Sequence, residues 1–324
     1  MKVPPAYVDG FGHALGSEKH GVEESAAAGR THNPAAAFLE SGFRWHHVCP
    51  PSETAYDLAR AAVAAIGDDT GDGGVADVDA IVYATCIPAN ANLGEPSRFE
   101  RTSDVKHLMD FPASRLQADL GLDRAFVVGI GQQACTSMLG SLRVAHGLIA
   151  TDPSVARVLC VSADRFPPGA TYEQAYSLIS DGAAACVVSR DPAAYRLVAA
   201  HHITNGAMVT ADDDETVGSY FAYTSRLVTE LLAKAGLAGV DDIDWVVPQN
   251  TDVKAWQILS RLLGIDPSKV RCPSLADVAH VISGDNIINL AHLDGQGVVR
   301  AGQRLLLTMA GYGMNWSGVL LEKT

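Results

Sequence analysis

The residue in this sequence best placed to do chemistry is Cys135, which lies where an apolar segment meets a helical pattern. Residues 125–130 are almost entirely apolar, as in a strand, and residues 141–150 carry apolar side chains at helical spacing. We therefore expect Cys135 at or just before the first turn of a helix. Unpaired N–H groups and the positive end of the helix dipole lower the pKa of a thiol there and favour the nucleophilic thiolate. A single buried cysteine is more often structural, so this assignment depends on the rest of the chain.

The amino-acid composition limits which kinds of partner the protein can bind and which cellular compartment we expect it to occupy. The chain has 324 residues, of which 48% are hydrophobic, enough for one large domain or two fused halves. A formal net charge of −13 argues against a nucleic-acid partner, because no basic stripe could neutralise phosphates. No apolar run is long enough for a membrane span, and the N-terminus lacks a signal-peptide core. Six scattered cysteines without a CxxC pair favour reduced thiols, so we expect a cytoplasmic protein without a metal site.

Helices and strands are predicted to alternate along most of the chain. Residues 52–66 form an amphipathic pattern with Ser52 as a possible cap, and after a loop at 67–74 residues 77–86 read as a buried strand. Residues 1–24 read as irregular because four glycines interrupt them. The acidic run at 212–215 reads as a solvated loop, and the next helix is predicted only from residue 225.

Two pairs of segments in the sequence have the same pattern. Residues 77–82 and 242–247 share an Asp-(Val/Ile)-Asp-x-(Ile/Val)-Val pattern, and residues 157–163 resemble residues 304–310. Because both pairs occur in the same order, they indicate two halves of one topology. We therefore predict α/β layers around buried sheets, with one half at 1–180 that carries Cys135 and a second half at 181–324.

Four motifs in this order resemble a known family. They are Cys135 at its turn, Asp-Gly-Ala-Ala-Ala at 181–185, Trp-Val-Val-Pro-Gln-Asn at 245–250, and Ala-Gly-Tyr-Gly-Met-Asn-Trp-Ser-Gly at 310–318. Together they resemble β-ketoacyl-acyl-carrier-protein synthase III of the thiolase superfamily. The resemblance implies the thiolase-like duplicated αβαβα five-layer fold, Cys135 as the acyl-accepting nucleophile, and a homodimer. It also implies backbone N–H groups of Cys135 and Tyr312, within Gly311–Gly313, as donors to the oxyanion.

The sequence departs from the family at the residues that assist the cysteine. Condensing members carry His after the proline of the second-half strand, where this chain has Gln249 and then Asn250. They also carry a later Asn, and here either His280 or Asp285 aligns with that position, depending on the alignment chosen. A Cys/His/Asp set resembles the divergent branch that transfers acyl groups in secondary metabolism. Gln249 and Asn250 are expected either to donate hydrogen bonds to a thioester carbonyl or to cap a turn.

The acyl donor is the second point of departure. Family members that take acyl-CoA carry a Trp and an Arg that grip the adenine, whereas residues 35–40 of this chain end in Glu40. This favours a carrier-protein thioester over acyl-CoA as the substrate, with no separate cofactor. Lys254 is the expected contact with the acyl carrier protein.

Three functions are compatible with these residues. The first is an acyltransferase that passes an acyl group from Cys135 to an oxygen or nitrogen nucleophile of a small molecule, with His280 as the base and Asp285 orienting it. The second is a 3-oxoacyl-carrier-protein synthase III that performs a decarboxylative Claisen condensation in fatty acid or polyketide biosynthesis. The third is an inactive partner subunit of a ketosynthase, which an intact Cys135 argues against.

Overall fold

The computed structural model describes residues 4–67, 74–91, 93–175 and 177–324. Its strands are β1 Ala6–Leu15, β2 Glu18–Gly21, β3 Trp45–Val48, β4 Ala80–Ala84, β5 Phe126–Ile130, β6 Arg157–Asp164, β7 Glu173–Gln174, β8 Ser177–Leu178, β9 Gly182–Ser189, β10 Tyr195–Thr204, β11 Trp245–Pro248, β12 Arg304–Gly311 and β13 Asn315–Lys323. Its α-helices are α1 Val22–Ala27, α2 Ala35–Glu40, α3 Ala55–Ala64, α4 Pro96–Thr102, α5 Pro112–Asp119, α6 Ser137–Thr151, α7 Asp213–Ala235, α8 Val253–Leu263, α9 Leu275–Val278 and α10 Asp285–Gly295. Within these ranges no helix is both long and apolar enough to cross a membrane.

Nine strands form one mixed sheet that contains the same arrangement twice. The strand order is β11-β12-β13-β10-β1-β9-β6-β4-β5. In the first half β4 runs parallel to β6, and β9 and β1 follow in antiparallel pairings. In the second half β11 runs parallel to β12, and β13 and β10 follow in the same way. The two halves join where β1 pairs antiparallel with β10.

The repeated sequence pattern makes the same contacts in both halves. At the start of β6, the N–H of Arg157 donates to the carboxylate of Asp79 at 3.0 Å, and the N–H of Asp79 donates to the carbonyl of Arg157 at 2.8 Å. In the second half, Arg304 and Asp244 make the corresponding bonds at 2.8 and 3.0 Å. The shared pattern therefore corresponds to a shared strand register, and the predicted duplication is confirmed.

Helices cover both faces of the two half-sheets and give five layers. Helices α6 and α10 form the middle layer, because their apolar side chains share one core with residues from both half-sheets. Helix α3 and part of α5 pack on the outer face of the first half-sheet, and α7 and α8 pack on the second. This arrangement confirms the predicted αβαβα fold. Strand pairing makes β9 part of the first half, so the topological seam lies between β9 and β10, after the predicted boundary at residues 180 and 181.

Three sequence predictions are corrected by the structure. The described part of residues 1–24 is not irregular, since β1, at the centre of the sheet, occupies Ala6–Leu15 and is followed by β2 and α1. The run at 212–215 is the start of α7, where the carboxylate of Asp212 caps the N–H of Glu215 at 2.8 Å. Thr54, not Ser52, caps α3, in a capping box with Asp57. Most of the predicted loop at 67–74 lies outside the described residues.

Candidate active site

Cys135 lies at the turn that joins β5 to α6, so its predicted strand-to-helix position is confirmed. A 3₁₀ turn, Ala134–Thr136, leads directly into α6. The hydroxyl of Thr136 donates to the carbonyl of Gln133 at 2.6 Å and fixes the turn. Ala134 has a φ of 44°, a left-handed conformation that costs a non-glycine residue on the order of 1–2 kcal/mol. Backbone strain is therefore concentrated beside the cysteine, as is common at functional sites.

The end of β12 passes very close to Cys135. A Cβ added to Gly311 would lie 2.7 Å from the backbone nitrogen of Cys135 and 3.2 Å from its Cβ, so the position requires glycine. Gly311 and Tyr312 line the same cavity as Cys135. Gly313, with a φ of 123°, shapes the turn, in which the side-chain amide of Asn315 donates to the carbonyl of Tyr312 at 2.9 Å. The oxyanion role of the backbone N–H groups of Cys135 and Tyr312 stays a prediction.

His280 and Asp285 form a buried pair next to the cysteine. Nδ1 of His280 lies 2.5 Å from Oδ2 of Asp285, and the imidazole lines the same cavity as Cys135. The backbone N–H groups of Asn250 and Val281 donate to the same carboxylate at 2.7 and 2.6 Å. Both residues that compete for the family's Asn position are thus at the site, with His280 at the cavity beside Cys135 and Asp285 behind the imidazole.

The backbone on either side of His280 is held by the first half of the chain. The N–H of His280 donates to the carbonyl of Leu178 at 2.9 Å, and its carbonyl accepts the N–H of Ser180 at 2.9 Å. The neighbouring Ala279 and Ile282 have φ values of 58° and 47°, in the left-handed region. These contacts and the strain beside them fix the imidazole between the two halves.

Contacts within this group shift two pKa values in opposite directions. The neighbouring thiol of Cys86 is the strongest influence on Cys135, and together with His280 it outweighs burial and lowers the pKa of the Cys135 thiol. Burial lowers the pKa of His280, but the charge of Asp285 and its hydrogen bond outweigh burial and raise the pKa of the imidazole well above its ordinary value. Lowering the thiol pKa and raising the imidazole pKa favour a thiolate–imidazolium pair.

Gln249 and Asn250 have separate environments. The amide oxygen of Gln249 accepts the N–H of Ala310, which leaves its amide nitrogen as the donor that it can offer to a substrate in the cavity. The amide nitrogen of Asn250 donates to Ser274 Oγ at 3.0 Å and to the carbonyl of Ala279 at 2.7 Å. Both of its N–H groups are therefore used within the protein. The predicted donation from Asn250 to a thioester carbonyl is corrected to a structural role beside the His280 loop.

The cavity above Cys135 has a volume of about 300 Å³ and a mainly apolar wall. Its apolar side chains come from α7, α8 and the turn after β12, namely Val217, Tyr220, Phe221, Ala255, Ile258 and Met314. Lys254 lies at the same cavity, and its ammonium group is 3.3 Å from the carboxylate of Glu40 on α2. The charge of Glu40 therefore lies beside Lys254, the residue predicted to contact a carrier protein.

Sequence reasoning missed two parts of this site. The predicted solvated loop at 212–215 leaves out the cavity wall from α7, although Asp212 three residues before Glu215 is a helix-start signal. The scattered cysteines predict a packed thiol at Cys86, although this residue lies two positions after β4, which runs parallel to β5 and β6. Parallel strands open their carboxyl ends at one edge of a sheet, and that edge is where ligands bind in such folds.

The five-layer fold and a cysteine at a strand-to-helix turn define the thiolase class. The model for 3-oxoacyl-[acyl-carrier-protein] synthase III matches residues 131–206, and the model for its C-terminal part matches residues 232–323. Together these matches span more than half of the chain. The chain belongs to the 3-oxoacyl-acyl-carrier-protein synthase III family of the thiolase superfamily.

Relatives and solved structures agree with this membership. The β-ketoacyl-[acyl-carrier-protein] synthase III of Nitratidesulfovibrio vulgaris strain DP4 is 27% identical over 317 residues, covering 87% of this chain and 88% of the relative. The 3-oxoacyl-(acyl carrier protein) synthase III of Pseudomonas aeruginosa PAO1 has a similar structure, with a TM-score of 0.79, 22% identity and 98% of each chain covered. ChlB3, described as an acyltransferase, has a TM-score of 0.81 at 19% identity, covering 99% of this chain and 98% of its own. At these identities the structural similarity concerns the fold.

Proposed function

We propose that this chain is an acyltransferase of natural-product biosynthesis. It loads an acyl group on Cys135 from a carrier-protein or CoA thioester and passes it to an oxygen or nitrogen nucleophile of a small molecule. The observation that carries this proposal is the buried hydrogen bond between Asp285 and His280, whose imidazole lines one cavity together with Cys135. A base that is backed by a carboxylate suits the removal of a proton from an acceptor.

Loading begins when the Cys135 thiolate attacks the carbonyl carbon of the thioester. Negative charge develops on the carbonyl oxygen, and the backbone N–H groups of Cys135 and Tyr312 stabilise it. The tetrahedral intermediate collapses as the bond to the sulfur of the pantetheine arm breaks. That sulfur takes the proton of the His280 imidazolium, so the products are an acyl-enzyme, a free pantetheine thiol and a neutral imidazole.

Transfer uses the imidazole that loading has left neutral. His280 accepts the proton of the acceptor's O–H or N–H as the acceptor attacks the acyl carbon. Asp285 stabilises the imidazolium that forms, because its carboxylate is buried and already oriented by backbone N–H groups. Collapse of the second intermediate releases the ester or amide and returns the Cys135 thiolate beside a protonated His280.

The walls of the cavity favour particular donors and acceptors. Because its lining is mainly apolar, we expect the acyl group or the acceptor to have an apolar body. Glu40 lies next to Lys254, so an acidic group from α2 stands where acyl-CoA enzymes carry a basic residue. This supports acyl carrier protein as the donor.

The proposal is tested by separating the two half-reactions. His280→Ala should block transfer to an alcohol or amine acceptor while Cys135 still becomes acylated, with slower loading because His280 also lowers the pKa of the thiol. Asp285→Asn should lower the transfer rate by about 10²–10⁴-fold, since an amide cannot stabilise the imidazolium. Panels of acyl-carrier-protein and acyl-CoA thioesters, intact-protein mass spectrometry and chromatography of the products measure the two steps.

Asp294→Asn is a matched control, because Asp294 also lies on α10 but bonds Tyr195 and Lys323 away from the cavity. It should leave both half-reactions close to wild type. Equal loss of loading and transfer in His280→Ala would contradict the assigned roles. Transfer at the wild-type rate in Asp285→Asn would also contradict them.

Decarboxylative condensation is the second candidate, favoured by the names of the curated relatives, although Gln249 stands where condensing members carry His. A neutral amide beside Cys135 could hydrogen-bond the thioester carbonyl that becomes an enolate. That mechanism also needs a second neutral donor. In this chain the residue available for it is His280, whose pKa is raised by Asp285. We therefore expect no 3-oxoacyl product from malonyl-carrier protein. Detection of that product at a rate that Asp285→Asn leaves unchanged would restore the condensing assignment.

A homodimer is the proposed assembly. Strand β5 lies at the edge of the sheet, and its Phe126 and Val127 are 43% and 36% exposed. An exposed apolar edge strand is a surface on which a second copy can pair. Light scattering should give twice the mass of the chain, and Val127→Lys should shift the population toward monomer.

A further inference from the structure

A short segment of the first half passes beside the residues that carry His280. It runs from Leu178, the last residue of β8, to Asp181, just before β9. Within it Ile179 pairs with His280 in a parallel bridge, and the backbone groups on either side make the hydrogen bonds to His280 described above. The segment also contributes one side chain to this contact, the hydroxyl of Ser180, which is completely buried.

The hydroxyl of Ser180 makes two hydrogen bonds, and the partners fix the direction of each. Oγ accepts the backbone N–H of His47 on β3 at 2.8 Å, because an N–H can only donate. Oγ in turn donates to the carbonyl of Val278 at 2.5 Å, because a carbonyl can only accept. The hydroxyl therefore connects β3 to the last residue of α9, two residues before His280.

Three consecutive carbonyls leading to the imidazole are held by hydrogen bonds. The carbonyl of Val278 accepts the hydroxyl of Ser180, that of Ala279 accepts the amide of Asn250 at 2.7 Å, and that of His280 accepts the N–H of Ser180 at 2.9 Å. Ala279 has a φ of 58°, a conformation that a non-glycine residue keeps only when its surroundings impose it. Ser180 supplies two of the three bonds that impose it.

We propose that Ser180 is a positioning residue for His280. Its hydroxyl holds residues 278–280 so that the imidazole bonds Asp285 and lies at the cavity that contains Cys135. Without the hydroxyl the strained backbone relaxes, and the imidazole moves with it. The inference rests on the proposed role of His280, and it involves no covalent change at Ser180.

Two substitutions remove or weaken this donor. Ser180→Ala removes the hydroxyl, and Ser180→Cys keeps a side chain of similar shape with a weaker S–H donor. The cysteine variant carries the test if circular dichroism shows that the alanine variant does not fold. Ser189→Ala is the matched control, because Ser189 is also a buried serine, at the opposite end of β9, and its hydroxyl donates to the carbonyl of Asp191 at 2.8 Å.

The first measurement is the NMR signal of the His280 ring proton that bonds Asp285. A proton in a buried hydrogen bond exchanges slowly with water, so the signal is observable, and its loss in His280→Ala identifies it. We expect the signal to shift and weaken in Ser180→Ala, to change less in Ser180→Cys, and to stay unchanged in Ser189→Ala. An unchanged signal in the folded Ser180 variants would overturn the proposal.

The second measurement is the rate at which octanoyl-acyl-carrier protein acylates Cys135, followed by intact-protein mass spectrometry. Ser180→Ala should lower this rate about tenfold, since displacement of a group at the site by 1 Å can cost about 10²-fold. In a His280→Ala background the same substitution should cause no further loss, because Ser180 acts through the imidazole. Equal fold-losses in the two backgrounds would overturn the proposal, because Ser180 would then act independently of His280.

The two measurements separate this inference from the proposed function. The NMR signal does not require a thioester substrate, so it reports the position of the imidazole whether or not acyl transfer occurs. A signal that changes as expected in a protein that never becomes acylated would refute the function and leave the role of Ser180 standing. Normal acylation with an unchanged signal in Ser180→Ala would do the reverse.

Discussion

The last residues of β6 and β12 occupy equivalent positions in the duplicated fold but make different contacts. Counting from Arg157 and Arg304, which begin the two strands with the same backbone contacts, Asp164 and Gly311 fall at the same place. Asp164 fills its position with a buried carboxylate that binds the segment after β4. Gly311 has no side chain, and the backbone of Cys135 occupies the space that a Cβ would need.

This difference shows how one topology can supply both parts of a single site. In the first half, Asp164 at the end of β6 fixes the segment after β4, and the same half carries Cys135 after β5. In the second half, Gly311 at the end of β12 has no side chain, so Cys135 can lie close to the turn after β12. A carboxylate at position 311 would occupy the space of the Cys135 backbone. The duplicated chain therefore places Cys135, the proposed nucleophile, at the boundary of two unlike halves.

Cys135→Ala should have the largest effect, because it removes the group that the first half contributes. We expect complete loss of the thioester-linked acyl group, measured by intact-protein mass spectrometry after incubation with acyl-carrier protein. Cys160→Ala, a buried thiol away from the cavity, should still be acylated. Acyl mass that persists in Cys135→Ala, or that maps to Cys86 or Cys186, would mean that another thiol is the nucleophile.

Gly311→Ala tests the empty position in the second half. The added Cβ would lie 2.7 Å from the nitrogen of Cys135, so the turn and the nucleophile must move apart. We expect the rate of acyl-enzyme formation to fall about 10²–10³-fold, as when an oxyanion donor is displaced. Gly147→Ala in α6 is the matched control, because a Cβ there meets no atom within 4 Å. Loading at the wild-type rate in Gly311→Ala would show that this close approach is not needed.

The sequence revealed the duplication but not the strand at its centre. The paired Asp and Arg positions are local patterns, so they could be recognised before any contact was known. Strand β1 could not be recognised from a local pattern, because its glycine is required by contact with a helix that is distant in sequence. A Cβ on Gly12 would lie 2.1 Å from the carbonyl of Ala62 in α3. Glycine required by tertiary approach is indistinguishable in sequence from glycine that breaks a strand.

The site, like the fold, could be predicted from the sequence only in part. His280 and Asp285 could be proposed because they stand in a region that resembles a family motif. The contacts of Asp164 with the segment after β4 could not be proposed, since they depend on which strands lie side by side and open at the same edge. Asn250 shows the opposite error, because its amide lies in the right segment but is committed to Ser274 and Ala279.

Asp164 gives the comparison a pH dependence. Burial outweighs its hydrogen bonds and raises the pKa of Asp164 from 3.8 to about 7 in the folded protein. Between these values the folded state holds the proton more tightly than the unfolded state, so the contribution of Asp164 to stability falls as pH rises from about 4 to 7. The difference is on the order of a few kcal/mol.

Urea denaturation at several pH values measures this contribution. Asp164→Asn does not titrate, so its free energy of unfolding should decline less between pH 4 and 7 than that of wild type. Asp266→Asn, in an exposed turn where Ser268 lowers the pKa of the carboxyl, should not reduce the decline. The same slope in wild type and Asp164→Asn would mean that Asp164 is ionised throughout the range.

Lys254 lies at the outer end of the cavity, in the second half of the chain. Lys254→Glu should have the smallest effect. Lys254 and Glu40 are both largely exposed, and an exposed ion pair contributes little to stability, so folding should be unchanged. The substitution places a second negative charge beside Glu40, where an acidic carrier protein would approach. Repulsion at such a rim acts mainly on association, so we expect kcat/KM for acyl-carrier protein to fall several-fold while kcat changes little. Arg261→Glu, two turns further along α8, should have a weaker effect, and high salt should reduce both. Equal kcat/KM for carrier-protein and CoA donors, unaffected by Lys254→Glu, would show that the donor does not dock at Lys254.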